Sequence, residues 1–513
     1  MSATANRIVK NTGYLYAKMG ITVCMSLWTT RLILNTLGES DFGIFGIVGG
    51  AIAMLGFLNN SMAGTTQRFM SYSQGERDIN KQKLIFNNSF ILHCIISVLV
   101  LILLELASIP LFYEVLNIPA ERQDAAFAIY QFLIISTVFT ILSVPYDAAI
   151  NAHEDMGYYA VIGLVESLLK FLIAIFVVNT LHDKLIVYGL LTALVTLLLL
   201  FVKYQYCKKK YEECTIRFNK YRNSAMIKEL LGFAGWNFVG TSGAMIGING
   251  GNVIMNHYFG PAVNAAGSIS IQVREQLMAF TTTMLKAVNP AVIKKEGEGD
   301  RSGMLKYTLS STKFAYMLYA LFALPFFIET PYLLQLWLQN VPEWAVWFVR
   351  LQILIGLTLP FSNTLTTALS ATGIIKYNNI YRCVIHIVPL IIYVILYSCG
   401  NGAEPYWVYL IVFICYSTFL PVFLLFQCKK YCDLDIKGYI NIILIPCIAS
   451  LMIAAVSGLL FTSILPSTFI RLIVNCVVVG VILLMMSYRL VLDNSEKEFI
   501  KSLFVSTINI RTK

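Results

Sequence analysis

Charge is what this chain has least of. Only 13% of its 513 residues are Asp, Glu, Lys or Arg, against about a quarter in ordinary soluble domains. A fully solvated globular surface is excluded. Histidine is rarer still: His93, His153, His182, His257 and His386 are scattered, and neither a phosphate-cradling glycine loop nor a Ser-His-Asp order accompanies them. No catalytic residue and no cofactor is expected. The eleven cysteines show no paired framework, and Cys428 and Cys432, one helical turn apart beside Lys429 and Lys430, read as incidental. Neither disulfide nor metal is expected. The N-terminus lacks a short apolar stretch with a cleavage site, so the first span is expected to stay as an uncleaved anchor.

Long apolar runs are what the chain has instead. Hydrophobic residues make up 57% of it, with a mean hydropathy of +0.70, and a spanning helix needs about 20 mostly apolar residues. Fourteen such runs lie near 14–36, 43–65, 86–113, 124–148, 157–178, 185–206, 228–248, 262–286, 306–328, 344–369, 378–398, 405–427, 438–462 and 467–490. A membrane barrel would need short alternating segments, which are missing. The fold class is all-α, a polytopic membrane protein with about fourteen transmembrane helices.

Lys and Arg are retained on the cytoplasmic side of a membrane, and placing both termini inside gathers nearly all loop cations on one face. That face holds Arg7 and Lys10, the loop from Arg68 to Lys83, the loop from Lys203 to Lys228, the loop from Lys286 to Lys306, Lys376, Arg382 and the segment from Lys429 to Lys437. Arg122 and Lys184 fall opposite, among Glu39, Asp41, Glu121, Asp183, Glu329 and Glu404. The net charge of +10 is thus a topology signal, not a nucleic-acid one. The basic run KYQYCKKKYEECTIRFNKYR (203–222) reads as a solvated loop, with anionic membrane lipids as a modest further partner.

The chain repeats itself. Gly38 and Gly260, Gly75 and Gly297, and Asp78 and Asp300 share an offset of 222 residues, and Asn117-Ile118-Pro119 matches Asn340-Val341-Pro342. Two pseudo-symmetric six-helix lobes are expected, as in many transporters: an N-terminal lobe over 1–206, a basic linker over 207–227 and a C-terminal lobe over 228–430. Two additional helices and a tail fill 431–513.

Ionisable groups inside spans are costly and usually face a bundle interior or a wet cavity, so they are the candidate site residues. Glu166 and Lys170 are spaced i,i+4 and can pair on one helix face. That pair is either a self-neutralising packing device or a cation held ready for an anionic ligand. Lys170, Arg31 and Arg274 are the expected cavity cations, with Glu166 supporting. Lys18, Lys313 and Arg350 lie close enough to an interface to snorkel, or else support the cavity. Arg274 and Glu275, as neighbours, are not expected to share a helix face. Asn59, Asn60 and Arg68, in LNNSMAGTTQRF (58–69), form a polar stripe suited to helix–helix hydrogen bonds or to a sugar headgroup. The glycines of GIFGIVGGAIAMLG (43–56) and FAGWNFVGTSGAMIGINGGN (233–252) read as close packing or as hinges.

The segment TTRLILNTLGESDFGIFGIVGGAIAMLGFLNNSMAGTTQRFMSYSQGERD (29–78) resembles the opening of bacterial Wzx-type polysaccharide and O-antigen flippases. These belong to the multidrug/oligosaccharidyl-lipid/polysaccharide exporter superfamily. LLGFAGWNFVG (230–240), HYFGPAVNAAGSISIQV (257–273) and KAVNPAVIKKEGEGD (286–300) are similar to later motifs of the same group, and the resemblance runs to about residue 430. It implies a fourteen-helix, two-lobed, non-enzymatic exporter in the bacterial inner membrane. The implied cargo is undecaprenyl-pyrophosphate-linked oligosaccharide, with glycosyltransferases and a polysaccharide polymerase as partners, and Arg31 falls inside the family-like segment. One departure is Ile248, where many relatives carry a basic residue, which raises the importance of Arg274. Two alternatives stay open. A drug/cation antiporter of the same fold would want a carboxylate in the first span, which has Lys18 and Arg31 instead. A membrane glycan polymerase or ligase would want larger outer loops.

Overall fold

The computed structural model describes residues 2–53, 56–112, 118–338, 340–398, 404–498 and 500–501, and among them there are helices but no strand. In chain order the helices are α1 (Ser2–Ala53), α2 (Gly56–Glu76), α3 (Ile79–Pro110), α4 (Gln123–Ala152), α5 (Met156–Val178), α6 (Lys184–Lys210), α7 (Phe218–Tyr221) and α8 (Ser224–Gly297). They continue with α9 (Arg301–Ile328), α10 (Thr330–Leu338), α11 (Ala345–Thr372), α12 (Lys376–Ser398), α13 (Trp407–Ile414), α14 (Leu420–Cys432), α15 (Ile436–Tyr439), α16 (Ile445–Ile464) and α17 (Phe469–Met486). Widened turns at Cys415–Phe419 and Ile440–Leu444 join α13 to α14 and α15 to α16.

Ten described segments are long and apolar enough to cross a membrane. The two longest helices, α1 and α8, are each broken in their interior by a glycine. Gly38 has φ 79° and Gly260 has φ 80°, a conformation open to glycine and strained for residues with a Cβ. Pro261 then restarts α8, its fixed φ suiting a first helical turn.

The sequence repeat is also a repeat of geometry. Asp78 caps α3 by accepting from the Lys81 amide at 3.0 Å, and Asp300 caps α9 by accepting from the Gly303 amide at 2.8 Å. Just before them, Arg77 and Gly299 both have positive φ. Gly75 and Gly297 mark one close crossing. A Cβ on Gly75 would strike the Lys294 carbonyl and one on Gly297 the Tyr72 carbonyl, so both backbones approach only because neither residue has a side chain.

By internal contacts the chain forms two compact units. An N-terminal unit comprises Ile8–Phe238 and Ile293–Gly299, and a C-terminal unit comprises Met1–Arg7, Val239–Val292 and Asp300–Lys513. In the N-terminal unit, Ile44, Val48, Ile129, Tyr130 and Leu185 form one apolar cluster, and Ile33, Ala174, Val177 and Tyr188 anchor another. In this unit Arg122 is forked between two carboxylates. Its Nε donates to Asp41 at 2.7 Å and its Nη1 to Asp183 at 2.5 Å.

In the C-terminal unit, α9 packs on α11, and α16 and α17 pack on α9. Two buried ion pairs hold the last helices in place. Arg471 on α17 donates to Glu329 at 2.7 Å, joined by Asn475 at 3.0 Å, and Lys313 on α9 donates to Glu496 at 3.0 Å. Outward, Ile448, Met452, Val456 and Leu459 of α16 are exposed at helical spacing, the apolar stripe a lipid-facing helix needs.

Candidate functional site

Four glycines prepare the site in the C-terminal unit. Gly240, Gly243, Gly247 and Gly250 recur at spacings of three and four along α8, hence on one face. Each lies against α12: Asn379, Cys383, His386 and Leu390 in turn. Positions rise together on both helices, so the two run parallel, with backbones drawn close by the missing side chains. Packing, not hinging, accounts for these glycines. By contrast, among the described residues nothing lies within 4 Å of a Cβ placed on Gly46, Gly49 or Gly50.

Beside that contact is a cavity of about 180 Å³ lined by α8, α11, α12 and the α13–α14 span. Arg274 enters it from the arm of α8 after Gly260. Its Nη1 donates to Gln352 Oε1 at 2.7 Å, its Nη2 donates to Glu275 at 2.7 Å, and its Nε is buried with no partner among the described residues. Adjacent helical residues point to different faces, yet the long guanidinium reaches back to its neighbour. Glu275 itself is largely exposed, and no carboxylate lines the cavity among the described residues. Opposite Arg274, His386 bonds to the Tyr416 hydroxyl and Tyr393 donates to the Val408 carbonyl. The Tyr409 hydroxyl, near Ser270 and Gln352, completes no hydrogen bond among the described residues. The positive fields of Arg382 and Arg274 both reach His386.

The N-terminal unit arranges its charges differently. Lys170 donates to Glu166 at 2.6 Å, and each is about two-fifths exposed, at 44% and 41%. Lys18 lies against Gly163 with its ammonium 4.3 Å from the centre of the Tyr159 ring. Lys203 donates to Asp147 at 2.8 Å. The fields of Lys203 and Lys18 also reach Glu166, so this is one polar cluster across α1, α4, α5 and α6 in which cations and carboxylates meet.

The other expected residues lie apart from both clusters. Arg31 is exposed on α1 and makes no hydrogen bond or ion pair among the described residues. Arg68 is buried among the rings of Tyr72, Phe69 and Phe233, 4.7, 4.8 and 5.3 Å away. Asn59 buries its side-chain oxygen without a partner among the described residues, whereas the side chain of Asn60 is outside the described residues. Arg350 donates to the Phe327 carbonyl at 3.3 Å. Lys313 is closed off by Glu496. Sequence reasoning passed over Lys203 and His386, and it assigned Arg382 to a basic loop. The available signal was spacing: Arg382 and His386 stand i,i+4 on α12 and share a face.

The long apolar helices define a multi-pass membrane protein. Residues 8–287 match the family model described as polysaccharide biosynthesis protein, and the chain belongs to that family. Three solved structures show the same fold, each covering 84% of this chain and 96% of its own. They are a MATE protein in the straight conformation (15% identity, TM-score 0.71), an outward-facing multidrug resistance MATE family transporter of the MOP superfamily (14%, 0.72), and a MOP superfamily transporter from Pyrococcus furiosus (14%, 0.71). A comparison with curated proteins finds no match.

Proposed function

We propose that the protein exports undecaprenyl-pyrophosphate-linked oligosaccharide across the bacterial cytoplasmic membrane by alternating access, with both termini cytoplasmic. The observation that carries this reading is Arg274, which enters a cavity whose described lining has no carboxylate and is held there by the neutral Gln352 and, outside the lining, by the largely exposed Glu275. A cation so placed favours an anionic cargo, and a pyrophosphate-linked glycan is one. Arg31 and Lys170 are the cations proposed to meet it elsewhere on the route, with Glu166 holding Lys170 between cargoes and Arg68, Asn59 and Asn60 nearer the entrance. Glycosyltransferases that build the cargo and a polymerase that consumes it are the proposed partners.

The drug/cation antiporter alternative wants an uncompensated carboxylate, but Glu166 and Asp147 each face a lysine. The Pyrococcus furiosus structure is itself described as having reversed binding-pocket polarity that suggests a different function. The test is surface polysaccharide in cells matched for protein level. Arg274→Ala should abolish export and Arg274→Lys should keep part of it. Full export from Arg274→Ala would remove the cationic route.

A further inference from the structure

The basic connection between α6 and α8 is strapped down and is not the free loop that its composition suggests. Asn87 and Asn88, adjacent and fully buried on α3, each hold its backbone at two points. Asn87 donates to the Thr215 carbonyl at 2.9 Å and accepts from the Arg217 amide at 2.8 Å, while Asn88 donates to the Tyr221 carbonyl at 2.8 Å and accepts from the Asn223 amide at 2.9 Å. The carboxylates of the strap are engaged as well: Glu213 is buried against His153 and Gln74, and Glu212 pairs with Lys83. Lys210 is held by Asp155 at 2.6 Å. Lys208, Lys209, Arg217, Lys220 and Arg222 are left exposed, with no carboxylate partner among the described residues. The repeat does not demand this feature. Cys207 and Cys428 make equivalent contacts to the carbonyls of Tyr146 and Leu365, yet the stretch from Cys207 to the start of α8 at Ser224 is about twice that from Cys428 to the start of α15 at Ile436.

Position and lining narrow the partner. From Asn88, α3 runs on to Pro110, a rise of about 33 Å at about 1.5 Å per residue, and the hydrocarbon core of a bilayer is about 30 Å thick. The exposed apolar residues of α3 from Ile95 to Ile109 all lie in that stretch. The strap therefore crosses α3 where acyl chains give way to headgroups. Ile216 and Phe218, exposed on either side of Arg217, add the apolar flank that interfacial segments carry beside their cations. Five cations spread along one exposed run suit an anionic surface better than a single enclosed phosphate. We propose that the strap, residues 207–223, is a binding surface for the anionic phospholipid headgroups of the surrounding bilayer, with Arg217, Lys220 and Arg222 on the phosphates and Ile216 and Phe218 beside the first acyl carbons. This needs only the spanning helices and stands apart from the export reading.

The test is native mass spectrometry of the full chain in detergent, with phosphatidylglycerol and phosphatidylcholine of the same acyl chains in competition. Phosphatidylglycerol should be retained in preference. A cation near an anionic lipid surface is worth about fivefold, so the pair Arg217→Gln with Lys220→Gln should cut that preference by about twentyfold. The pair Lys429→Gln with Lys430→Gln neutralises as many exposed cations on α14 and should leave most of it. Both pairs should keep the parent's thermal midpoint. Equal retention of the two lipids by the parent overturns the proposal, as does an equal loss from the two pairs, which would make the preference a matter of net charge. Undecaprenyl phosphate at equal concentration should compete no better than phosphatidylglycerol. If it displaces phosphatidylglycerol, and Arg217→Gln with Lys220→Gln abolishes its binding, the strap is a dock for isoprenoid phosphate and the bilayer assignment falls.

Discussion

The two units share a repeat but settle their charges differently. In the N-terminal unit the interior lysines find partners inside the protein: Lys170 has Glu166, Lys203 has Asp147, and Lys18 lies over Tyr159. In the C-terminal unit the buried carboxylates Glu329 and Glu496 are taken by Arg471 and Lys313 at the last helices. Arg274 is left to an amide and an exposed neighbour, and Arg382 to no partner among the described residues. Position 18 carries lysine where the repeat, 222 residues on, carries Gly240 packed on α12. One copy of the scaffold spends that position on charge and the other on close helix contact. A self-neutralised cluster is stable without a ligand, whereas a cation left to an amide and an exposed carboxylate gains from a further anion.

The largest expected effect tests whether the C-terminal carboxylates are structural. Lys313→Ala leaves Glu496 buried and unpaired, and removing one partner of such a pair costs about 3–5 kcal/mol. Thermal unfolding in detergent should show a large drop, and a midpoint near the parent's would undo that side of the contrast. Next comes Arg274→Ala. It leaves the buried Gln352 and the largely exposed Glu275 without their donor, about 1–3 kcal/mol, so export should vanish while most stability remains. Destabilisation as severe as that of Lys313→Ala would instead make Arg274 another structural pin.

Smaller effects belong to the N-terminal unit. Lys170→Ala strands Glu166, and if the pair only serves packing, export and stability should recover in the double variant Glu166→Ala with Lys170→Ala. If Lys170 meets cargo, the double variant inserts normally and still fails to export. The pH effect is the smallest. Burial pushes the Asp183 carboxyl upward, but the hydrogen bonds from Arg122 and from the first amides of α6 outweigh it and hold the group below its ordinary value. A carboxyl depressed by folding stabilises above its unfolded value of about 3.9 and loses that contribution as pH falls through the folded value. Stability from this group should be level between about pH 7 and 5 and decline below about pH 4, and Asp183→Asn should flatten that acid limb. An unchanged acid limb would mean that the fork at Arg122 contributes nothing to folding.

Much of this fold was readable along the chain because its constraints are local. A bilayer demands about 20 apolar residues per crossing, so the spans stand out. The paired glycines and aspartates of the repeat stand out because a positive φ and a helix cap each admit few residue types. Glu166 and Lys170 could be matched from spacing alone. Lys313 and Glu496 could not, lying 183 residues apart, and Arg274 reaches Gln352 across 78.

By itself, then, the sequence determined an all-helical membrane protein with a duplicated plan and placed cations within its spans, since hydropathy, backbone conformation and i,i+4 spacing act between near neighbours. Which of those cations are neutralised was decided only by tertiary structure. Whether a charge is paired depends on what lies within a few ångströms of it, and in a helical bundle those groups come from distant spans.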